Sequence, residues 1–306
     1  MQEITLGEMF EQLRLKRHHT KKEICEGLCS ITALTRYENN VRVPDKFLLD
    51  SILQRLGGDL IKFEIIVNDH DLEIAHIRQK IELLWKEKDL NAIQMQIEEY
   101  KSIIKSSRNL HEQFIYEKQG QIQEYLGNWQ AALQLYHTSL SCTECLNYTK
   151  RIQYGLLTFA EALLLTDIGK LYYNQEHTEN ALSIFENIAR YFQMHTSLKN
   201  KSIMETIYIE SIYYLAKINY RQKNWGLAYK YTNLVIKRQL SEYRLQYLKD
   251  CFYFKKVLEI KLGKYNPQDF SYEKNLIALE ILQYQTTEEL ERHVKENSWE
   301  NIVNQI

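Results

Sequence analysis

Apolar residues in the first sixty positions recur at helical rather than strand spacing. Leu6, Met9, Phe10, Leu13 and Leu15 predict a first helix that ends near His18 and His19. Thr20 is the expected N-cap of a second helix, with Glu23 three residues on completing a capping box and Ile24, Cys25 and Leu28 as the buried face. After a turn at Cys29 and Ser30, Ser30 caps a third helix whose Ile31 and Leu34 point inward. Pro44 opens a fourth, with Phe47, Leu48, Ile52, Leu53 and Leu56 as its stripe and Gly57-Gly58 as its stop.

From Asp59 the helical period continues almost to the end, with no linker rich in Pro or Ser. Five segments share a polar break, an aromatic, Leu or Thr, and then an Ala or Ile. Their phase-marking residues are Leu90, Trp129, Thr178, Trp225 and, most weakly, Tyr265, which lie 39, 49, 47 and 40 residues apart. Gly120, Gly169 and Ala216 fall where the first helix of each middle hairpin must let its partner cross closely, and Tyr136 and Phe185 fall at an aromatic position of the second helix. The pattern resembles degenerate tetratricopeptide repeats; the alternative is an irregular bundle of hairpins. Only 2 Pro and 10 Gly occur in 306 residues, so the class is all-α. The expected order is a helix-turn-helix domain over residues 1–60 and a helical-hairpin superhelix over residues 61–306.

Charge sharpens the picture only locally. The chain has 39 Lys and Arg against 40 Asp and Glu, which excludes a body coated in nucleic acid but permits one small reading module. Arg14, Lys16, Arg17, Lys21 and Lys22 cluster where the first two helices meet, where a DNA backbone would pass. Thr32, Ala33 and Arg36 are placed on the outer face of the third helix: a small residue meets a thymine methyl, and Arg forks onto guanine. Glu38 is read as structural, paired with Arg14 or Arg17.

Two helices, a tight turn and a stabilising helix make the helix-turn-helix plan. The string Thr20-Lys-Lys-Glu-Ile-Cys-Glu-Gly-Leu-Cys, then Thr35-Arg-Tyr-Glu-Asn-Asn, then Pro44, resembles the Cro/C1-type (XRE) domain, with Thr35, Arg36, Glu38 and Pro44 on matching positions. Lys21 stands where that family has Gln, and Asn40 where it has Gly. Such a domain followed by degenerate repeats resembles the Rgg/PlcR/PrgX regulators, which dimerise and bind short signal peptides. The resemblance implies a double-stranded DNA operator contacted by Arg17, Lys21, Lys22, Thr32, Ala33, Thr35, Arg36 and Arg42. It also implies a homodimer, to which helices from Tyr272 to about Leu282 and from Thr287 to Val303 would contribute.

Reading the positions beside the crossing residues gives an inner wall of Gln121, Glu124 and Tyr125, then Lys170, Tyr173 and Asn174, then Tyr213, Lys217, Tyr220 and Arg221. Aromatic surface, amides and cations together suit a short linear peptide with a free carboxylate. A repressor whose repeats only dimerise or bind a protein is a second reading. A repeat scaffold or Rap-like phosphatase or antagonist is a third, opposed by the first sixty residues.

No other chemistry is expected. Cys142-Thr-Glu-Cys145 lacks a second pair for a metal site, and the nine His include no His-Glu-x-x-His. There is no phosphate loop and no nucleophile elbow, so neither catalytic residues nor cofactors are expected. The start shows no basic, apolar leader and no stretch is long enough to span a bilayer, so a cytoplasmic protein with five reduced thiols is expected.

Overall fold

A computed structural model describes residues 5–57, 69–104, 109–145, 155–195, 202–241 and 247–264. Among them the chain forms thirteen helices and no strand. The boundary near residue 60, Gly58, Tyr265 and the two C-terminal helices proposed for dimerisation lie outside the described residues.

The first four helices are α1 (Leu6–Lys16), α2 (Lys21–Cys25), α3 (Ile31–Glu38) and α4 (Lys46–Arg55). Thr5 with Glu8 and Thr20 with Glu23 close capping boxes at α1 and α2, and the Ser30 hydroxyl accepts from Ala33 N–H at α3. At α4 the cap is Asp45, which accepts from Phe47 and Leu48 N–H, and not Pro44, whose ring precedes it. Their core is Phe10, Ile24, Leu34, Tyr37, Leu49, Ile52 and Leu53, each worth roughly 1.5–3 kcal/mol on burial. Two expected core residues are exposed: Leu15 at 57% and Ile31 at 49%. Leu15 sits beside the buried Arg14 at the end of α1, and Ile31 on the first turn of α3, before its packing face begins.

The remaining helices are α5 (Asp69–Glu87), α6 (Leu90–Ile103), α7 (Asn109–Tyr125), α8 (Trp129–Ser141), α9 (Phe159–Asn174), α10 (Thr178–Met194), α11 (Ser202–Arg221), α12 (Trp225–Ser241) and α13 (Leu248–Lys261). They pair as hairpins α5–α6, α7–α8 and α9–α10, with α12 packed on α13. The chain divides into two compact units between Tyr208 and Ile209, within α11. The small crossing residues do what their spacing implied: a Cβ on Gly120 would come within 2.5 Å of the Tyr136 ring, and one on Gly169 within 2.8 Å of Phe185.

Leu90, Trp129, Thr178 and Trp225 are each the first residue of a second helix. Two residues before each, and again at Gly263, the backbone turns left-handed: φ is 59° at Lys88, 78° at Gly127, 62° at Glu176, 62° at Lys223 and 65° at Gly263. The hydrogen bonds repeat too, as in Glu176 N–H to Tyr173 C=O at 3.2 Å and His177 N–H to Tyr172 C=O at 2.9 Å. This is the Schellman closure of a helix. Three of the five positions carry a Cβ that this conformation disfavours, so Lys88→Gly, Glu176→Gly and Lys223→Gly should each stabilise the fold by about 0.5–1 kcal/mol. Urea denaturation checks this; destabilisation by all three would show that the side chains matter more than the backbone.

Helices α1 to α4 are built onto the repeats. Leu156 and Leu110 pack on their core, and Phe47 packs on the core of α5 to α7. The Arg78 guanidinium lies 4.1 Å from the Phe47 ring and 4.3 Å from Phe114, and donates to Tyr100 Oη at 2.7 Å. Phe159 N–H donates to Gln54 Oε1 at 2.9 Å. Arg55, at the end of α4, donates to the carbonyls of Ile24 and Glu26 at 2.9 and 2.6 Å and pairs with Glu161 of α9 at 3.4 Å, both side chains fully buried.

Candidate functional site

The outer surface of α2 and α3 is the first candidate. Capping by Thr20 and Ser30 leaves these two helices with exposed first turns, and burial of Leu34, Tyr37 and Glu38 turns the opposite face of α3 outward. Lys22, Thr32, Arg36 and Arg42 are exposed there, and Ala33 is half-buried against the core. Asn40 holds the left-handed position that glycine would take, at φ 57°, and its side chain does more. Its carbonyl accepts from Gly7 N–H at 3.0 Å and its amide donates to Thr5 Oγ1 at 2.8 Å, tying the end of α3 to the start of α1.

Three expected contact residues have internal work. Lys21 Nζ sits 2.8 Å from Glu38 Oε2 and 3.1 Å from Thr35 Oγ1, whose hydroxyl donates in turn to Ile31 C=O. Arg17 donates to Gly57 C=O at 2.9 Å, closing the end of α4. Its guanidinium fills the space over Gly57, so its half-buried head faces the fold rather than outward. Glu38 pairs with Arg14 at 2.7 Å, as read from sequence, with Lys21 and not Arg17 as its second cation. Burial acts against the Glu38 carboxylate, but Arg14 and Lys21 outweigh it and hold the carboxyl below its usual range.

The second candidate is the polar face of the repeats, and here each unit stands by itself. In the first unit, Lys118 is buried between Glu82 at 2.5 Å and Glu117 at 3.0 Å, and donates to Gln121 at 3.2 Å. Burial alone would lower the Lys118 ammonium, but the two carboxylates raise it; burial raises the Glu117 carboxyl. Glu124 accepts from Tyr136 Oη at 2.6 Å, and burial raises its carboxyl as well. Lys170 pairs with Asp167 at 2.7 Å, so the expectation of an uncompensated cation there is corrected by a carboxylate one turn back on its own helix. Tyr173 is 5% exposed and belongs to the core, not to a wall, whereas Asn174, the next residue, is exposed. Tyr125 is exposed and meets the Trp85 ring edge-on at 6.4 Å.

In the second unit the Tyr213 ring stacks on Tyr247 at 4.5 Å, and its hydroxyl donates to Asp250 at 3.4 Å. Lys217 lies 5.3 Å from both the Tyr213 and Tyr214 rings. Burial lowers its ammonium, Arg221 adds to that, and Asp250 opposes it. Tyr220 meets the Phe254 ring at 5.1 Å, and Arg221 is exposed. Tyr213, Lys217, Tyr220 and Arg221 therefore share one helix with an aromatic, polar surround that Tyr247, Asp250 and Phe254 complete. Sequence reading missed those three because they lie on α13 or at its N-cap, beyond the hairpin it considered.

A cavity of about 130 Å³ opens where α4 meets the repeats, lined by Phe47, Asp50, Gln54, Arg78, Gln113 and Glu117 among others. Among the described residues no group of three or more metal-ligating side chains occurs, and no helix is long and apolar enough to cross a membrane.

No protein-family model and no curated protein sequence matches the chain. Similar solved structures include PlcR of Bacillus thuringiensis in complex with the peptide PapR7 and DNA, with a TM-score of 0.53 and 15% identity over 96% of this chain and 99% of that one. BtubC (BKLC) of P. vanneervenii aligns with a TM-score of 0.54 and 10% identity over 91% of this chain and 94% of that one. The chain thus has the all-α fold of PlcR over nearly its full length.

Proposed function

We propose that this chain is a cytoplasmic transcription regulator that binds a DNA operator as a homodimer and answers to a short signalling peptide, of the quorum-sensing kind. Residues 1–60 would read DNA, and residues 61–306 would hold the peptide and dimerise. The observation that carries the reading is the outward face of α3, where Thr32 and Arg36 are exposed, with the cations Lys22 of α2 and Arg42 after α3 exposed as well. The likeness to PlcR, captured with a peptide and DNA, supports it. Repeats alone do not choose a function, so the argument rests on the first four helices.

Lys22, Thr32, Arg36 and Arg42 are the direct contacts in this reading, with Ala33 beside them. Lys21, Thr35 and Arg17 act mainly by shaping the surface. For the peptide, the Tyr213, Lys217, Tyr220 and Arg221 group is favoured over Tyr173 and Lys170. Gln121 and Glu124 would serve only if the peptide competes with their present partners. The second reading, a repressor whose repeats dimerise without a peptide, gains from the pairing of Lys170 with Asp167.

Duplexes selected by the full-length protein from a random-sequence pool supply the test. Arg36→Ala should lose roughly 1–3 kcal/mol on the selected site and relax the preference there. Lys22→Ala should weaken all duplexes alike and reduce the salt slope by about one. Equal binding by the Arg36→Ala variant would remove α3 from the interface. A short peptide that co-purifies, identified by mass spectrometry, should bind more weakly to the Lys217→Ala variant; recovery of no peptide from any preparation would favour the second reading.

A further inference from the structure

The turn between α2 and α3 holds two thiols that the DNA-reading proposal leaves unused. Cys25 ends α2, and Cys29 immediately precedes the Ser30 cap of α3; their sulfurs are 3.8 Å apart and hydrogen-bonded. Gly27, at φ 71°, folds the intervening chain back so that Cys29 N–H reaches Cys25 C=O at 3.0 Å. Cys25 is buried at 3% exposure and also contacts Ser30 C=O at 3.7 Å, whereas Cys29 is partly open. Beside them the Arg55 guanidinium sits on the Ile24 and Glu26 carbonyls.

We propose that Cys25 and Cys29 form a reversible oxidation site, closing to an intrachain disulfide that clamps the α2–α3 turn, with a peroxide as oxidant. A disulfide needs its sulfurs near 2.05 Å, so the pair must close by under 2 Å, a movement that side-chain rotation and the glycine turn can share. Cys29 is the attacking group. Its thiol lies below the ordinary value, chiefly through its hydrogen bond with Cys25; burial opposes this and the Arg55 charge adds to it. The Cys29 thiolate attacks one peroxide oxygen, forming an S–O bond as the O–O bond breaks, and the departing hydroxide takes up the proton that Cys29 gave up, leaving as water. The Cys25 sulfur then attacks Cys29 Sγ. An S–S bond forms, the S–O bond breaks, and the hydroxide leaves with the Cys25 proton as a second water. Two thiols have lost two electrons and two protons, and one hydrogen peroxide has become two waters.

The other three cysteines are poorer targets. Burial pushes the Cys142 thiol up to about 11 and the Cys251 thiol up to about 12, and Cys145 is wholly buried. Closure would draw on the backbone that presents Ser30, whose hydroxyl caps the helix carrying Thr32 and Arg36.

The test treats the full-length protein with equimolar hydrogen peroxide, alkylates it under denaturing conditions and digests it with trypsin. Residues 23–36 come off as one peptide holding both thiols. That peptide should be lighter by two hydrogens, unalkylated, and restored by dithiothreitol. In the Cys25→Ser variant Cys29 should stop at the sulfenic acid and be trapped by dimedone; in Cys29→Ser, Cys25 should stay fully alkylatable. Circular dichroism confirms that both variants are folded. Added oxygens without a link, or earlier loss of Cys142, Cys145 or Cys251, would overturn the proposal. A random-sequence duplex supplies a further arm, which rests on the DNA-reading proposal: oxidised protein should bind it about fivefold more weakly, as when a helix cap is lost. No binding by the reduced protein would sink the DNA reading and leave the disulfide standing. Equal binding by both forms would overturn the clamp on α3.

Discussion

Replacing Glu161 by Leu should cost the fold about 3–5 kcal/mol, because it leaves the Arg55 guanidinium buried without its counter-charge. Both side chains are fully buried, so water cannot take the place of either. Arg55 would keep its bonds to the Ile24 and Glu26 carbonyls, which prevents it from turning out to solvent. Glu161 also caps α9 by accepting from Thr158 N–H at 2.6 Å, so its loss reaches a second element. Changing both partners, Arg55→Met with Glu161→Leu, removes the stranded charge and should cost at least 1 kcal/mol less than the sum of the single changes. Urea denaturation of the three variants gives the cycle. A loss below about 1 kcal/mol for Glu161→Leu would mean that the two groups are hydrated. Because the pair joins α4 to α9, the same variant should loosen the first four helices before the rest, read as faster amide exchange there.

Glu38→Ala is the second large effect, expected near 3 kcal/mol at neutral pH, since Arg14 is buried while Lys21 can partly swing out. The pH dependence distinguishes lost charge from lost packing. The Glu38 carboxyl is depressed in the fold, so its contribution is present above its unfolded value of about 4.3 and is lost as pH falls through the lower folded value. The gap between wild type and variant should therefore shrink between about pH 5 and pH 3. Asp50 and Glu117, raised by burial, titrate with the opposite sign, but both proteins carry them and they cancel in the difference. A gap constant across that range would assign the effect to packing alone.

The two effects differ in how visible they were in the sequence. Glu38 lies one α3 turn after Leu34 on the buried face, and the cluster of Arg14 and Arg17 nearby suggested its pairing. Arg55 and Glu161 are 106 residues apart, and no period or spacing links them. The same division holds elsewhere. Local chemistry was legible: Thr20 with Glu23, Ser30, the left-handed Asn40, and Gly120 under Tyr136 all follow from neighbours or from helical phase. What failed depends on where an element ends against another. Pro44 looked like a helix start because its φ suits one, but Asp45 can accept two amide hydrogens and so takes the cap. Phase put Tyr173 on a wall, yet it is buried while its neighbour Asn174 is exposed. The cation argument for Lys170 ignored Asp167 three residues back, a pairing that helix geometry alone could have supplied.

The left-handed turns described at Lys88, Gly127, Glu176, Lys223 and Gly263 have a consequence for how such a chain changes over time. Each closes its helix with the same pair of backbone hydrogen bonds, so the bend is the same whatever side chain occupies the left-handed position. The arms on either side are then free to lengthen or shorten, as the uneven 39- to 49-residue spacing records. Substitutions can accumulate along the arms provided that the elbow and the close crossing, Gly120 on Tyr136 or Gly169 on Phe185, are kept. Two chains that agree at only 15% of positions can then still align over 96% of this one. Grafting an elbow with its crossing pair between such proteins should carry the bend across intact, while exchanging arm sequences should alter only the surface each hairpin presents.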